Sequence, residues 1–250
     1  MKRSFAIGND IVDLGNARTV GKAADERFVG RVCSAGEWDT IRSSDDPDLE
    51  LWCHWAAKET AFKVVSKLLG EPPPFVHRAF VIRWGDPASA PAAWGDDVLR
   101  HGHVRYERTT AEAATLLDAT VWVKQDGDAV HAVGYGPSDT PDHAAVVTQR
   151  VELVDDPDAP WAGTFEELEG RFTERELDAV YSRESAAVRI GARADLAAFL
   201  ATPEERLEIA CWPGPTSQRP PYVLVDGKPA AVDVSLSHDG PLIAWAWWGE

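Results

Sequence analysis

The segment Trp52-Cys53-His54-Trp55-Ala56-Ala57-Lys58-Glu59-Thr60-Ala61-Phe62-Lys63 constrains the fold more than any other part of this chain. It reads as the middle of a helix from about 49 to 69, closed by Gly70 and the run Pro72-Pro73-Pro74. Glycine ends helices readily and proline does not continue them. At about 3.6 residues per turn, positions 52, 55, 56, 59, 63 and 66 share one stripe. Trp52, Trp55 and Ala56 make that stripe apolar, so it is expected to face the protein and to carry Glu59 and Lys63 with it. A charge on such a face costs desolvation energy unless something satisfies it. Two readings stand: a plain Glu–Lys helix pair worth about 0.2–0.5 kcal/mol, or a carboxylate kept for chemistry.

A chain of 250 residues is long enough for one large domain or two modest ones. A hydrophobic fraction of 44% and 11 Trp predict a globular fold. No run of apolar residues reaches membrane-spanning length, and the N-terminal apolar stretch is too short for a secretory signal. Cys33, Cys53 and Cys211 are far apart and lack metal-ligand spacing, which predicts reduced thiols in a cytoplasmic protein. The formal charge of −16 argues against general nucleic-acid binding. It leaves room for a phosphorylated ligand at a local basic pocket.

Phe5 to Leu14 reads as a strand entering a turn, and residues from about 22 to 42 read as helical. Ser43 to Asp48 is a loop able to cap the long helix. Strand-like runs follow at Phe80–Trp84, His103–Tyr106, Ala119–Val123 and Val130–Tyr135. Gly134 to Asp142, rich in Gly, Pro, Ser and Asp, is the expected linker. Beyond it the plan repeats loosely. A strand from Val146 to Val154 leads to a short helical stretch around Phe172–Leu177 and a helix from about 182 to 200. Strands come last, at Tyr222–Val225, Val232–Ser237 and Leu242–Trp248. The repetition predicts an α+β fold built as a pseudo-dimer of two similar halves, 1–140 and 141–250, each a small antiparallel sheet packed on a long helix.

Four groups of residues stand out for chemistry. Asp10 interrupts an apolar strand, and alternation puts it on one face with Gly8 and Val12. It is either an edge residue facing solvent or a ligand or base, with Gly8 allowing close approach. Ser235-Leu236-Ser237-His238-Asp239-Gly240 is either a hairpin turn or a set of donors for phosphate oxygens. Consecutive Ser237, His238 and Asp239 point alternately to opposite faces and so form no catalytic relay. Arg183, Arg189 and Arg193 are either a solvated helix face or a local basic cluster in an acidic chain. Gly227-Lys228-Pro229 alone is a turn.

Taken in order, these segments resemble the 4′-phosphopantetheinyl transferase superfamily. Gly8-Asn9-Asp10 resembles its Gly-x-Asp strand motif, and Trp55-Ala56-Ala57-Lys58-Glu59-Thr60-Ala61-Phe62-Lys63 its Lys-Glu-x-x-x-Lys helix motif. Gly227-Lys228-Pro229 and Ser237-His238 resemble its Gly-Lys-Pro and Ser-His motifs. Arg27-Phe28, Arg31-Val32, Ser34 and Glu37 resemble a stretch of the holo-acyl-carrier-protein synthases. In the larger surfactin-synthetase-activating type the Ser-His half comes first. Here the Asp/Glu half leads, so the chain looks like a pseudo-dimer in the motif order of the short enzymes. Val12 stands where many larger members carry a second acid.

The resemblance implies transfer of 4′-phosphopantetheine from coenzyme A to a serine of an apo acyl or peptidyl carrier protein. It implies Mg²⁺ on Asp10 and Glu59, with Glu59, Lys63 and Asp10 catalytic. Lys63, Lys228, Pro229, Ser237, His238, Arg183 and Arg189 would bind coenzyme A, with Arg193 beside them. Arg18, Arg27 and Arg31 would dock the acidic carrier. One site is expected between the halves, and a single chain should suffice as a monomer. Two other readings are a degenerate module that binds coenzyme A or a carrier without transfer, and an unrelated Mg²⁺-dependent phosphotransferase or hydrolase. The last leaves the Ser-His and Gly-Lys-Pro segments unexplained, and the sequence has no Walker loop or Gly-x-Gly-x-x-Gly to support it.

Overall fold

Every residue of the first strand, β1 (Ala6–Asp13), is buried, because both of its edges and both of its faces are covered. A computed structural model describes residues 4–74, 76–85, 98–109, 114–137, 147–212 and 219–249. After β1 come α1 (Glu26–Val32), α2 (Ala35–Ser43) and the long α3 (Pro47–Leu69). Strands β2 (Phe80–Trp84), β3 (Val98–Thr109), β4 (Ala114–Asp126) and β5 (Ala129–Gly136) complete the first half. They form one antiparallel sheet in the order β1-β5-β4-β3-β2.

The second half runs β6 (Thr148–Leu153), α4 (Phe165–Glu169), α5 (Glu174–Leu177), α6 (Arg183–Phe199), β7 (Leu207–Cys211), β8 (Pro221–Val225), β9 (Lys228–Pro229), β10 (Val232–Asp239) and β11 (Leu242–Gly249). It holds two antiparallel three-stranded sheets, β10-β11-β6 and β7-β8-β9. The fold is α+β. In each half the first strand pairs antiparallel with the last, and a long helix lies between them in sequence. The halves differ in that the second splits its strands between two sheets. Strand β7 and helix α4 had no counterpart in the sequence reading. The expected linker lies partly in β5, and the 140/141 boundary falls outside the described residues.

Helix α3 begins where Asp46 accepts the Leu49 N–H, with Pro47 in the first turn, and ends at Gly70 with φ 82°. Its inner side packs Ala56, Ala57, Ala61, Val64 and Leu68 on Ala6, Val12, Val121 and Ala132 of the sheet. Gly8 makes this close approach possible: a Cβ there would stand 2.3 Å from the Thr60 carbonyl oxygen. The outer side of α3 is covered too, since Leu51 packs with Val29, Val32 and Ile41 of α1 and α2. The region from about 22 to 42, read as helical, holds two helices, α1 and α2, separated at Cys33–Ser34. Ser34 caps α2, with reciprocal bonds between its N–H and Glu37 Oε2 (2.7 Å) and between Glu37 N–H and its own Oγ (3.4 Å).

The opposite face of the five-stranded sheet joins the other half. Ile7, Trp122, Val133 and Tyr135 share one core with Ile190, Leu196, Ile243 and Trp245. The two halves therefore have a continuous interior. No helix among the described residues is long and apolar enough to cross a membrane.

Candidate active site

The free edge of β1 meets β10 along a parallel seam with no backbone ladder. The N–H groups of Ile7, Asn9, Ile11 and Asp13 donate to side chains of β10: Asp233 Oδ2 (2.8 Å), Ser235 Oγ (2.9 Å), Ser237 Oγ (3.2 Å) and Asp239 Oδ2 (2.9 Å). Two lysines one turn apart on α3 collect the carbonyls. Lys67 Nζ binds Ile7 O (2.8 Å) and Val234 O (2.7 Å). Lys63 Nζ binds Asn9 O (2.6 Å) and lies 3.4 Å from Leu236 O. The alternation of polar side chains in Asp233, Ser235, Ser237 and Asp239 thus serves to satisfy a strand edge that would otherwise be buried unpaired.

Asp10 sits at the middle of this seam, facing α3. Its Oδ1 accepts from Lys63 Nζ (3.0 Å) and from the Ser237 hydroxyl (2.9 Å). Burial pushes the carboxyl up to about 6, with Lys63 opposing the rise and Glu59 adding to it. Glu59 does not pair with Lys63. Its Oε1 lies 3.5 Å from His77 Nε2. Helix α3 is buried almost all round, and Trp55, Glu59 and Lys63 form its most open line. The stripe expected to face the interior is thus the one where the helix opens onto a cleft.

Two clefts converge here. The larger, about 540 Å³, is lined by Asp10, Glu59, Lys63 and Lys67 on one side and by Tyr181, Arg189, Cys211, Arg219, Ser237 and His238 on the other. The smaller, about 310 Å³, is lined by Arg18, Thr19, Trp52 and Trp55 from the first half and by Asp239 from the second. Asp10, Glu59 and His238 border both. Burial holds the His238 imidazole below its ordinary range, and its Nε2 lies 3.4 Å from the Tyr181 hydroxyl.

The structure sorts the remaining candidates. Ser237 faces the cleft, but its hydroxyl is engaged by Asp10 and by the Ile11 N–H. Of the three arginines of α6, only Arg189 reaches the cleft, where its guanidinium touches Ser185 O and Cys211 Sγ. Arg193 is buried against Glu176 (2.8 Å), and Arg183 pairs with Asp155. The solvated-face reading fails for Arg189 and Arg193, each 7% exposed. Lys228 and Pro229 are exposed on the β8–β9 hairpin and line neither cleft. The sequence reading missed Arg219 and Lys67. Arg219 lies beside Pro220-Pro221 in a segment that reads as loop, and Lys67 lies outside the Lys-Glu-x-x-x-Lys spacing.

No cluster of three or more His, Cys, Asp or Glu side chains suited to a metal occurs among the described residues. Two carboxylates do converge, and Glu59 raises the cost of ionising Asp10. A divalent cation with oxygen preference fits that pair, since one or two carboxylates, substrate phosphate and water are its usual ligands. No curated protein matches the chain. Residues 6–116, which carry Asp10, Glu59 and Lys63, match the family model of the 4′-phosphopantetheinyl transferase superfamily.

Proposed function

We propose that this protein transfers 4′-phosphopantetheine from coenzyme A to a serine of an apo carrier protein, with Mg²⁺, releasing adenosine 3′,5′-bisphosphate. The observation that carries the reading is the meeting of two clefts at Asp10, Glu59 and His238. A two-substrate transfer needs two approaches to one reacting centre. Arg189, Arg219, Lys63 and His238 give the larger cleft the donors that a nucleotide with phosphates requires. The smaller cleft opens beside the exposed Arg18, and exposed Arg27 and Arg31 lie on α1. That surface suits an acidic carrier despite the overall negative charge.

Asp10 and Glu59 would hold the metal, which when bound neutralises pyrophosphate oxygens. Lys63 balances the charge on Asp10 and reaches Leu236 O of the second half at 3.4 Å. Glu59 borders both clefts and is placed to accept the serine proton. The serine oxygen then forms its bond to phosphorus, and the bond to the bisphosphate breaks.

The test is incubation with coenzyme A, Mg²⁺ and a panel of apo carrier proteins, read by intact mass. A gain of one phosphopantetheinyl group is expected. Coenzyme A binding without any mass gain would replace this reading by that of a binding module.

A further inference from the structure

Glu59 is the carboxylate on which both the metal and the proton-transfer assignments depend, and the helix motif does not say what aims it. Its neighbour is His77, in the 3-10 turn His77–Ala79 ahead of β2. His77 Nε2 lies 3.5 Å from Glu59 Oε1, and both side chains are about one-fifth exposed. The imidazole is held from two directions. Its ring packs on Trp55, with centroids 4.3 Å apart, and Trp55 stacks in turn on Phe28 at 5.7 Å and 19°. Its peptide carbonyl lies 3.4 Å from Lys58 Nζ. Lys58 is fully buried, and its ammonium is fixed by Val32 O (2.9 Å) and Glu37 Oε2 (2.8 Å). Glu37 is fixed in its turn by the N–H groups of Ser34 and Ile82.

We infer that His77 is the positioning residue for Glu59, and that the Lys58–Glu37 pair is the anchor holding His77 in place. This rests on the function proposed above. A carboxylate with free rotamers loses entropy when it binds a cation, and an outer partner that fixes it removes that loss. A separation of 3.5 Å is longer than a formed hydrogen bond, and such contacts tighten when ligands arrive. The adjacent Lys and Glu of the motif then have distinct tasks: Lys58 builds the wall and Glu59 works at its face.

The test compares three substitutions in the full chain. His77→Phe keeps a ring on Trp55 and removes the nitrogen. His77→Gln and His77→Met have side chains of similar length, with and without a donor near the Nε2 position. Mn²⁺ binding is measured in the presence of coenzyme A by the electron spin resonance of free Mn²⁺, alongside thermal unfolding and steady-state kinetics. His77→Phe and His77→Met should weaken Mn²⁺ binding by about tenfold or more, and lower kcat with little change in the KM for coenzyme A. His77→Gln should recover most of the affinity. If His77→Phe fails to fold, the Gln and Met pair decides the matter. Equal Mn²⁺ affinity in wild type and the donor-free variants would overturn the positioning role while leaving the transfer reading intact, as would a Gln variant no better than Met. Absence of Mn²⁺ binding by the wild-type chain would overturn the metal assignment and the positioning role together.

Discussion

Asp10 keeps a carboxylate in a place that disfavours it. Burial and Glu59 both push its proton affinity up, and Lys63 and Ser237 push back. Ser237 also receives the Ile11 N–H, so one hydroxyl serves a charge and a strand edge. Ser237→Ala should therefore cost about 1–3 kcal/mol, the range for leaving buried polar groups without partners, measured by urea unfolding. A loss well under that would mean that water replaces the hydroxyl. Asp10→Asn and Glu59→Gln act in the opposite sense on stability, because each removes one of two repelling charges. Their melting temperatures should equal or exceed that of the wild type, while transfer to a carrier falls by about 10²–10⁴-fold for Glu59→Gln. Full activity in either variant would refute its assignment.

At the scale of elements, the seam between β1 and β10 is an unusual joint, in which side chains of one strand satisfy the backbone of the other. Lys67 and Asp233 sit at one end of it, 3.0 Å apart and almost fully buried. Lys67→Met should destabilise the fold by about 3–5 kcal/mol, because Asp233 would be left as a buried charge without its ammonium. A denaturation midpoint close to wild type would refute that role. This seam was illegible in the sequence. Its bonds join residues 226 positions apart, and Asp233-Val234-Ser235-Leu236-Ser237 looks like any half-exposed strand. The alternation of β1 and both ends of α3 were legible, since capping and period-two patterns are local. The orientation of α3 was read from one apolar stripe, but α1 and α2 cover its outer side, so apolar residues occupy most of its circumference and the polar line marks the opening. Asp10 and Glu59 could be named from residue type and spacing. His77 and Arg219 could not, because tertiary contact alone brings them to the site.

At the scale of the whole molecule, the shared core and the seam tie the halves together. Far-ultraviolet and tryptophan signals should therefore unfold in a single coincident transition, and two separated transitions would show that the halves are independent. The pH dependence of that transition follows from His131 on β5. It is buried beside Asn9, whose amide nitrogen lies 3.3 Å from its Nε2. Burial, with Lys63 and Lys124 adding to it, brings its pKa from 6.5 down to about 3. The folded state therefore refuses a proton that the unfolded chain accepts below 6.5. The stability from the neutral ring is fully present above that value and is lost as pH falls toward 3, at up to about 1.4 kcal/mol per pH unit. His54, also held low by burial, steepens the same limb. His131→Gln keeps an acceptor for Asn9 and cannot titrate, so its urea midpoint should fall less steeply between pH 6.5 and pH 4, by close to one proton in the linkage slope. An unchanged slope would mean that His131 takes up its proton in the folded state, which would require the interior between β1 and β5 to open to water before the molecule unfolds.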